Sequence, residues 1–121
     1  MNCAIRGDDV INIGWYCSDR VCLNGHGEKT ALFYEGFDGV ERAYTFNDIR
    51  LGSNTIGRYL ESLGISAGDR VCLFMDRIPE LYLGFLGILK IGAIVQPLFS
   101  AFGDESLFVR LENAQTRAIL T

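Results

Sequence analysis

The chain switches between a two-residue and a roughly 3.6-residue hydrophobic period, and the switches divide it into elements. Ile13, Trp15, Tyr16, Val21 and Leu23 follow a loosely helical spacing within residues 10–23. Asn24-Gly25-His26-Gly27 closes it, which predicts a short helix. Thr30-Ala31-Leu32-Phe33-Tyr34-Glu35 and Val40-Glu41-Arg42-Ala43-Tyr44 read as strands. Between them Gly36-Phe37-Asp38-Gly39 supplies the glycines and aspartate of a hairpin turn, so an antiparallel pair is predicted. Thr45 then stands where its hydroxyl can cap the N–H of Asp48 while Asp48 reaches back, with Tyr44 and Ile49 at the positions of a hydrophobic staple. A helix is predicted from Phe46. Its expected buried stripe is Phe46, Ile49, Ser53, Ile56, Leu60 and Leu63, with Arg50, Asn54, Arg58 and Glu61 facing water and Gly64 ending it in the left-handed conformation.

Farther on, Val71-Cys72-Leu73-Phe74-Met75 is apolar without alternation, as a strand covered on both faces would be. Pro79 suits the first turn of a helix, where its missing N–H costs nothing. Residues 81–91 are apolar all round except Lys90, so that helix is expected to be largely buried, with Gly84 and Gly87 admitting a close neighbour. Gly92 ends it. Ala93-Ile94-Val95 predicts another inner strand, stopped at Gln96-Pro97. Gly103 or Asp104 opens a helix with Leu107, Phe108, Leu111 and Ala114 inward, and Ala118-Ile119-Leu120-Thr121 forms a last strand. From Tyr44 onward the order is α-β-α-β-α-β, which gives right-handed crossovers. The fold class is therefore α/β: a largely parallel sheet with helices on both faces, preceded by a short helix and a β-hairpin. Residues 1–9 are expected to form a poorly ordered leader. The chain stops on a strand, where a ligand-binding strand-end loop would follow, and this pattern predicts a truncated domain.

Composition narrows the function classes. Apolar residues make up 49% and charged residues 21% of the 121, a balance suited to a packed core rather than a disordered tail. The net charge of −4 and the scattered basic residues offer no stripe for a nucleic-acid backbone, so no nucleic-acid partner is expected. Arg6, Asp8 and Asp9 occupy the place of a secretory leader's apolar stretch, and the longest apolar run, residues 81–89, is far short of the roughly 20 that span a bilayer. A cytoplasmic chain with no membrane partner is expected. Cys3, Cys17, Cys22 and Cys72 form no C-x-x-C pair and His26 is the single histidine, so the cysteines read as reduced packing thiols and no metal site is expected.

Several segments bear on chemistry. Gly25-His26-Gly27-Glu28-Lys29-Thr30 has the flavour of a phosphate loop, but Glu28 replaces the required glycine and a strand follows. His26 has no Ser or Cys at nucleophile spacing and reads as a solvated loop residue. Asp69 and Asp76 bracket a strand as an acidic metal site would. Asp69 lies at the strand's N-terminal end, however, and Asp76 reads as a turn or cap residue before Pro79. Arg77, Arg110 and Arg117 form no evident cluster and read as solvated charge. In residues 96–103, a strand-end loop, Phe99 and Phe102 lie among small residues. A ligand-tunnel wall and ordinary loop packing explain them equally.

Tyr44-Thr45-Phe46-Asn47-Asp48-Ile49 resembles the first core motif of the adenylate-forming superfamily. Gly68-Asp69-Arg70-Val71, Pro79-Glu80-Leu81-Tyr82 and Leu89-Lys90-Ile91-Gly92-Ala93-Ile94-Val95-Gln96-Pro97-Leu98 look like its following strand, buried helix and Leu-Lys-x-Gly-Ala-x-x-x-Pro-Leu signature. Asn12-Ile13, Cys17, Asp19-Arg20, Phe99-Ser100-Ala101-Phe102 and Arg110-Leu111-Glu112-Asn113-Ala114 are similar to the AMP-forming acetyl-CoA synthetase branch. The resemblance covers nearly the whole chain. It implies that residues 1–121 are the N-terminal part of the large, AMP-binding domain of a ligase using ATP, Mg and CoA. In such an enzyme a carboxylate attacks the α-phosphate of ATP, and the CoA thiol then displaces AMP from the acyl-adenylate.

No catalytic residue is expected in this chain. The family's Ser/Thr/Gly-rich loop with its lysine, its nucleotide-binding aspartate and its C-terminal lysine would all lie beyond Thr121, so the chain alone is expected to be inactive. The resemblance places part of the CoA channel wall at Phe99, Ser100 and Ala101, with Ser100-Ala101 standing where many relatives have two glycines. Small-molecule carboxylate and CoA are the implied partners, with homo-oligomers forming through surface that a fragment leaves uncovered. The other reading of the residues is a free-standing α/β binding or interaction module without catalysis.

Overall fold

The computed structural model describes residues 11–121; the expected leader at 1–9 lies outside them. Helices α1 (Ile13–Tyr16) and α2 (Asp19–Val21) and an irregular turn (Cys22–His26) kinked at Gly25, whose φ is 83°, lead into hairpin strands β1 (Thr30–Glu35) and β2 (Glu41–Thr45). Then come α3 (Phe46–Ser62), β3 (Arg70–Leu73), α4 (Pro79–Lys90), β4 (Ile94–Pro97), α5 (Asp104–Ala114) and β5 (Ala118–Leu120). The single short helix expected within 10–23 is instead broken at Ser18, which leaves helical geometry (φ −133°) while its hydroxyl donates to Gly14 O at 2.6 Å. That side-chain bond offers the backbone an alternative to continuing the helix.

β1 and β2 pair antiparallel, and β4-β3-β5 form a parallel sheet in that order. The crossovers β3-α4-β4 and β4-α5-β5 run in opposite directions across β3, so right-handed connections put α4 and α5 on opposite faces. Val71, Cys72 and Leu73 are all fully buried, as the unalternating run predicts for a central strand. Val71 and Leu73 join Leu60, Ile65, Ile88 and Ala93 in the core under α3 and α4. Successive side chains alternate across a strand, which turns Cys72 to the α5 face, where burial pushes its thiol pKa up and keeps it protonated.

β4 is an edge strand among the described residues, not an inner one, with Ile94 half exposed. Gln96-Pro97 does not stop the ladder: Pro97 pairs with Leu73, and Leu98 N–H donates to Leu73 O at 3.0 Å. A proline ending an edge strand costs no central hydrogen bond. α5 buries no residue fully, and Phe108, expected inward, is exposed. Polar clamps hold this helix instead. Arg70 Nε donates to Ala114 O at 2.6 Å, Gln96 Nε2 to Arg110 O at 3.1 Å, and Thr116 Oγ1 to Gln96 Oε1 at 2.6 Å.

α3 begins as expected. Asp48 N–H donates to Thr45 Oγ1 at 3.2 Å and Thr45 N–H to Asp48 Oδ2 at 2.8 Å, a complete capping box. Gly64 follows the helix with φ 84°, the left-handed residue that ends it. Ile49, Ser53, Gly57 and Leu60 are its buried positions, whereas Leu63, expected in the stripe, lies at the C-cap and is exposed.

The inside-outside reading of α4 is partly reversed. Tyr82 and Phe85 of its apolar surface are exposed, and Lys90, its one charged position in residues 81–91, is 3% exposed. Gly87 permits this by close approach: a Cβ there would sit 2.7 Å from Ser53 O of α3. With the helices that near, the Lys90 ammonium donates to Ser53 Oγ at 2.8 Å and Asn54 Oδ1 at 2.9 Å, and pairs with Asp19 at 2.5 Å. Arg50 and Asn54, expected in water, are therefore half-buried against α4. Asn12 adds a second fastening. Its Oδ1 accepts from Trp15 N–H to start α1, and its Nδ2 donates to Leu89 O and Lys90 O at 3.0 and 3.1 Å, satisfying carbonyls at the end of α4.

Burial lowers the Lys90 pKa below 10.5, with Asp19 opposing. Asp19→Ala, which strands a buried ammonium, is expected to cost roughly 3–5 kcal/mol in urea unfolding. Lys90→Met should cost clearly less, because methionine fills the space and the partly exposed Asp19 carboxylate keeps access to water. Equal costs, or the reverse order, would contradict this account.

Asp48 is held below its ordinary pKa of 3.8 by the backbone N–H of Thr45 and then by its hydroxyl, and Asp69 below the same value first by the backbone N–H of Ser66. A depressed carboxylate stabilises the fold above its unfolded pKa and loses that contribution as pH falls through the folded value. Unfolding followed from pH 5 downward should show stability declining below about 3.8, and a shallower decline in Asp48→Asn with Asp69→Asn. An unchanged acid limb in the double variant would exclude these two groups as its source.

Candidate functional site

The two ends of the parallel sheet differ in chemistry. At the N-terminal ends of its strands polar groups are mutually satisfied. Asp69 accepts from Ser66 N–H at 2.8 Å and faces Arg117 at 3.4 Å, while Arg70 caps α5. Asp69 is thus a turn residue remote from the strands' carboxyl ends, and the Asp69/Asp76 pair forms no common site.

Across the carboxyl ends lies an open cleft of about 890 Å³, within the size range of small-molecule pockets and at the sheet end where ligands bind in open α/β folds. Its floor comes from the segment after β3, with Met75, Asp76, Arg77 and Ile78, and from Leu81 in the first turn of α4. One wall is Pro97, Leu98, Phe99 and Ser100 after β4. The other is Tyr34, Glu35, Gly36 and Phe37 of the hairpin. Asp76 is not a side-chain cap: Ile78 is the N-cap of α4 without a side-chain hydrogen bond, and its N–H donates to the backbone carbonyl of Asp76 at 2.8 Å. Its carboxylate is free to line the cleft.

Of the three expected channel residues, Phe99 and Ser100 face the cleft, and Ala101 lies exposed outside its lining. Phe102 N–H donates to Phe99 O at 3.0 Å, closing a turn whose central residues are Ser100 and Ala101. Gln115 alone among the described non-glycine residues has positive φ, so this turn is one that residues other than glycine adopt without strain. Phe99 packs edge-to-face on Phe102 at 5.9 Å, and the Arg110 guanidinium covers the Phe102 ring at 4.3 Å. Arg110 is therefore a support for the cleft wall rather than solvated charge alone. His26 is exposed, and the glycine-rich segment around it leads into β1 rather than a helix.

Sequence reasoning missed the hairpin's part in the cleft. Nothing local says that the tip of a two-stranded ribbon folds toward loops 40 and 60 residues away. It also missed the Lys90 network, although a lone lysine ending an otherwise apolar helix was a usable signal. Among the described residues no helix is long and apolar enough to cross a membrane, and no three His, Cys, Asp or Glu side chains stand together as metal ligands.

This architecture has known counterparts. The acetyl-coenzyme A synthetase of Bacillus subtilis is 39% identical over 112 residues, covering 92% of this chain and 19% of that protein. The acetyl-coenzyme A synthetase of Deinococcus radiodurans is 37% identical over 110 residues, covering 91% and 17%. The crystal structure of Brucella canis acyl-CoA synthetase superposes with a TM-score of 0.84 at 37% identity, covering 90% of this chain and 20% of that one. The chain thus spans about a fifth of the length of these relatives. The family model described as AMP-binding enzyme matches residues 19–121, from the Asp19 that neutralises Lys90 through both walls of the cleft, and the chain belongs to that family.

Proposed function

We propose that residues 1–121 form the N-terminal part of the large, AMP-binding domain of a ligase that activates acetate or another short-chain carboxylate with ATP and transfers it to CoA. The observation that carries this reading is the cleft at the carboxyl ends of β3 and β4, walled by Phe99 and Ser100 in a chain of the AMP-binding enzyme family. The names of the relatives at 37–39% identity favour acetate as the substrate.

Phe99 and Ser100 would form part of the channel for the pantetheine arm of CoA. The ring excludes water from one side, and the turn, held by Phe102 and Arg110, fixes the wall's position. CoA supplies the thiol that takes the acyl group. ATP and Mg do not fit the residues present. Arg77 is the one cationic side chain lining the cleft, Glu35 and Asp76 oppose it, and no metal-ligand group stands among the described residues. Adenylation is therefore assigned to residues outside these 121, and the isolated chain is expected to be inactive in the cytoplasm or in a test tube. Ile94 and Ile119 lie half exposed at the margins of the α5 face, and with Phe108 on α5 they would promote self-association of the isolated chain.

The test is acetate-dependent exchange of labelled pyrophosphate into ATP, measured on a longer polypeptide that includes this segment and on the 121 residues alone, with propionate and butyrate as competitors. Exchange confined to the longer protein is expected. Its absence with every short acid would remove the short-chain assignment and favour a binding module, whereas exchange by the short chain would refute its inactivity.

A further inference from the structure

The tip of the hairpin carries a residue that the fold does not use. Phe37 is 111% exposed, the highest value among the large apolar side chains described. Turns favour Gly, Asn, Asp and Ser, and the neighbouring residues do that work here. Gly39 N–H donates to Gly36 O at 2.9 Å, Gly39 takes φ 77°, and Val40 N–H donates to Asp38 Oδ1 at 3.1 Å. Phe37 enters no aromatic pair among those formed and buries nothing in the core. Yet it lines the large cleft, across from Phe99, which is itself 63% exposed. Two exposed phenylalanines on separate elements therefore border one opening.

Resting on the CoA reading above, we infer that Phe37 is a specificity-determining residue of this cleft, closing the hairpin side of the channel over the uncharged pantetheine arm rather than over the phosphates. The charge balance of the lining selects the arm. Glu35 and Asp76 outnumber Arg77, which disfavours a diphosphate inside the cleft, while an aliphatic amide chain gains apolar contact from two rings and loses no charge-charge energy. The hairpin rather than the sheet supplies this contact, so its two-stranded ribbon, a motif of marginal stability by itself, is anchored through the capping box at Thr45 that joins it to α3.

Nitrogen-resolved NMR titration of a longer polypeptide that includes this segment, the same protein used for the exchange assay, with CoA and, separately, with pantetheine tests this. Phe37→Ser is compared with Phe33→Ser, a control on the same hairpin that is 80% exposed and lies outside this cleft. Shifts at Gly36, Phe99 and Ser100 report binding, and the unperturbed spectrum of each variant reports its fold. Phe37→Ser is expected to weaken CoA and pantetheine by the same factor, about tenfold for an aromatic side chain's apolar contact. Phe33→Ser should leave both unchanged, and Phe37→Leu should recover most of the loss. If the wild type binds CoA at Phe99 and Ser100 and Phe37→Ser binds it as well, the role of Phe37 is overturned while the CoA channel stands. If Phe37→Ser weakens CoA but not pantetheine, the contact is with the nucleotide end and the inference is again wrong. If neither molecule moves any cleft resonance of the wild type, the CoA reading itself fails.

Discussion

A buried ammonium dictates how the elements of this protein meet. A lysine taken out of water is tolerated only when its charge is paired and its N–H groups are accepted. Lys90 satisfies both demands with Asp19 from α2 and with Ser53, Asn54 and, more distantly, the Arg50 carbonyl from α3. For all of them to reach one Nζ, α3 must lie against α4, which Gly87 allows, and the N-terminal helices must cross its end. There Gly14 has space for no side chain: a Cβ would stand 2.7 Å from Leu86 O and 2.9 Å from Lys90 Cγ. Neutralising one charge thus fixes three elements at once, and Asn12 reinforces the arrangement from the backbone side.

That constraint reaches the cleft through connectivity. α4 is the crossover between β3 and β4, and its first turn contributes Leu81 to the cleft floor while its last residue carries the ammonium. Its C-terminal end is bolted by polar bonds and its N-terminal end opens on the cleft. The sheet shows the same polarity. Asp69 and Arg70 spend their hydrogen-bonding capacity on turns and on the C-terminal end of α5, whereas the carboxyl ends present Phe99, Ser100 and the hairpin tip. Stability is concentrated at one end, and the surface available for recognition at the other.

The element order, the parallel sheet, the hairpin, the capping box at Thr45 and the glycine stops at Gly64 and Gly92 were legible because each rests on contacts within a few residues, or on a period that local geometry imposes. Phe99, Ser100 and Ala101 were named only through the family resemblance; strand order alone placed their loop at the carboxyl end of the sheet, where Phe99 and Ser100 line the cleft and Ala101 does not. Apart from the helix break at Ser18, which a local side-chain bond makes, the failures share one cause. Tyr82 and Phe85 face out, Lys90 faces in, β4 is an edge among the described residues, and Phe108 is exposed. Each outcome depends on what stands opposite in space, which hydrophobicity along a chain does not encode.

By itself, then, the sequence determined the type and order of the longer helices and strands, the stops at Gly64 and Gly92, and the family motifs that link Thr45, Arg70 and Lys90 to a common scaffold. Only the tertiary structure decided that Asp19 and Lys90, 71 positions apart, neutralise each other, and that Phe37 and Phe99 border the same opening. The physical reason is range. Backbone hydrogen bonds and caps are satisfied within a turn or a ladder, but a buried charge and a binding cleft need atoms from distant parts of the chain, brought together by the packing of α3, α4 and the sheet.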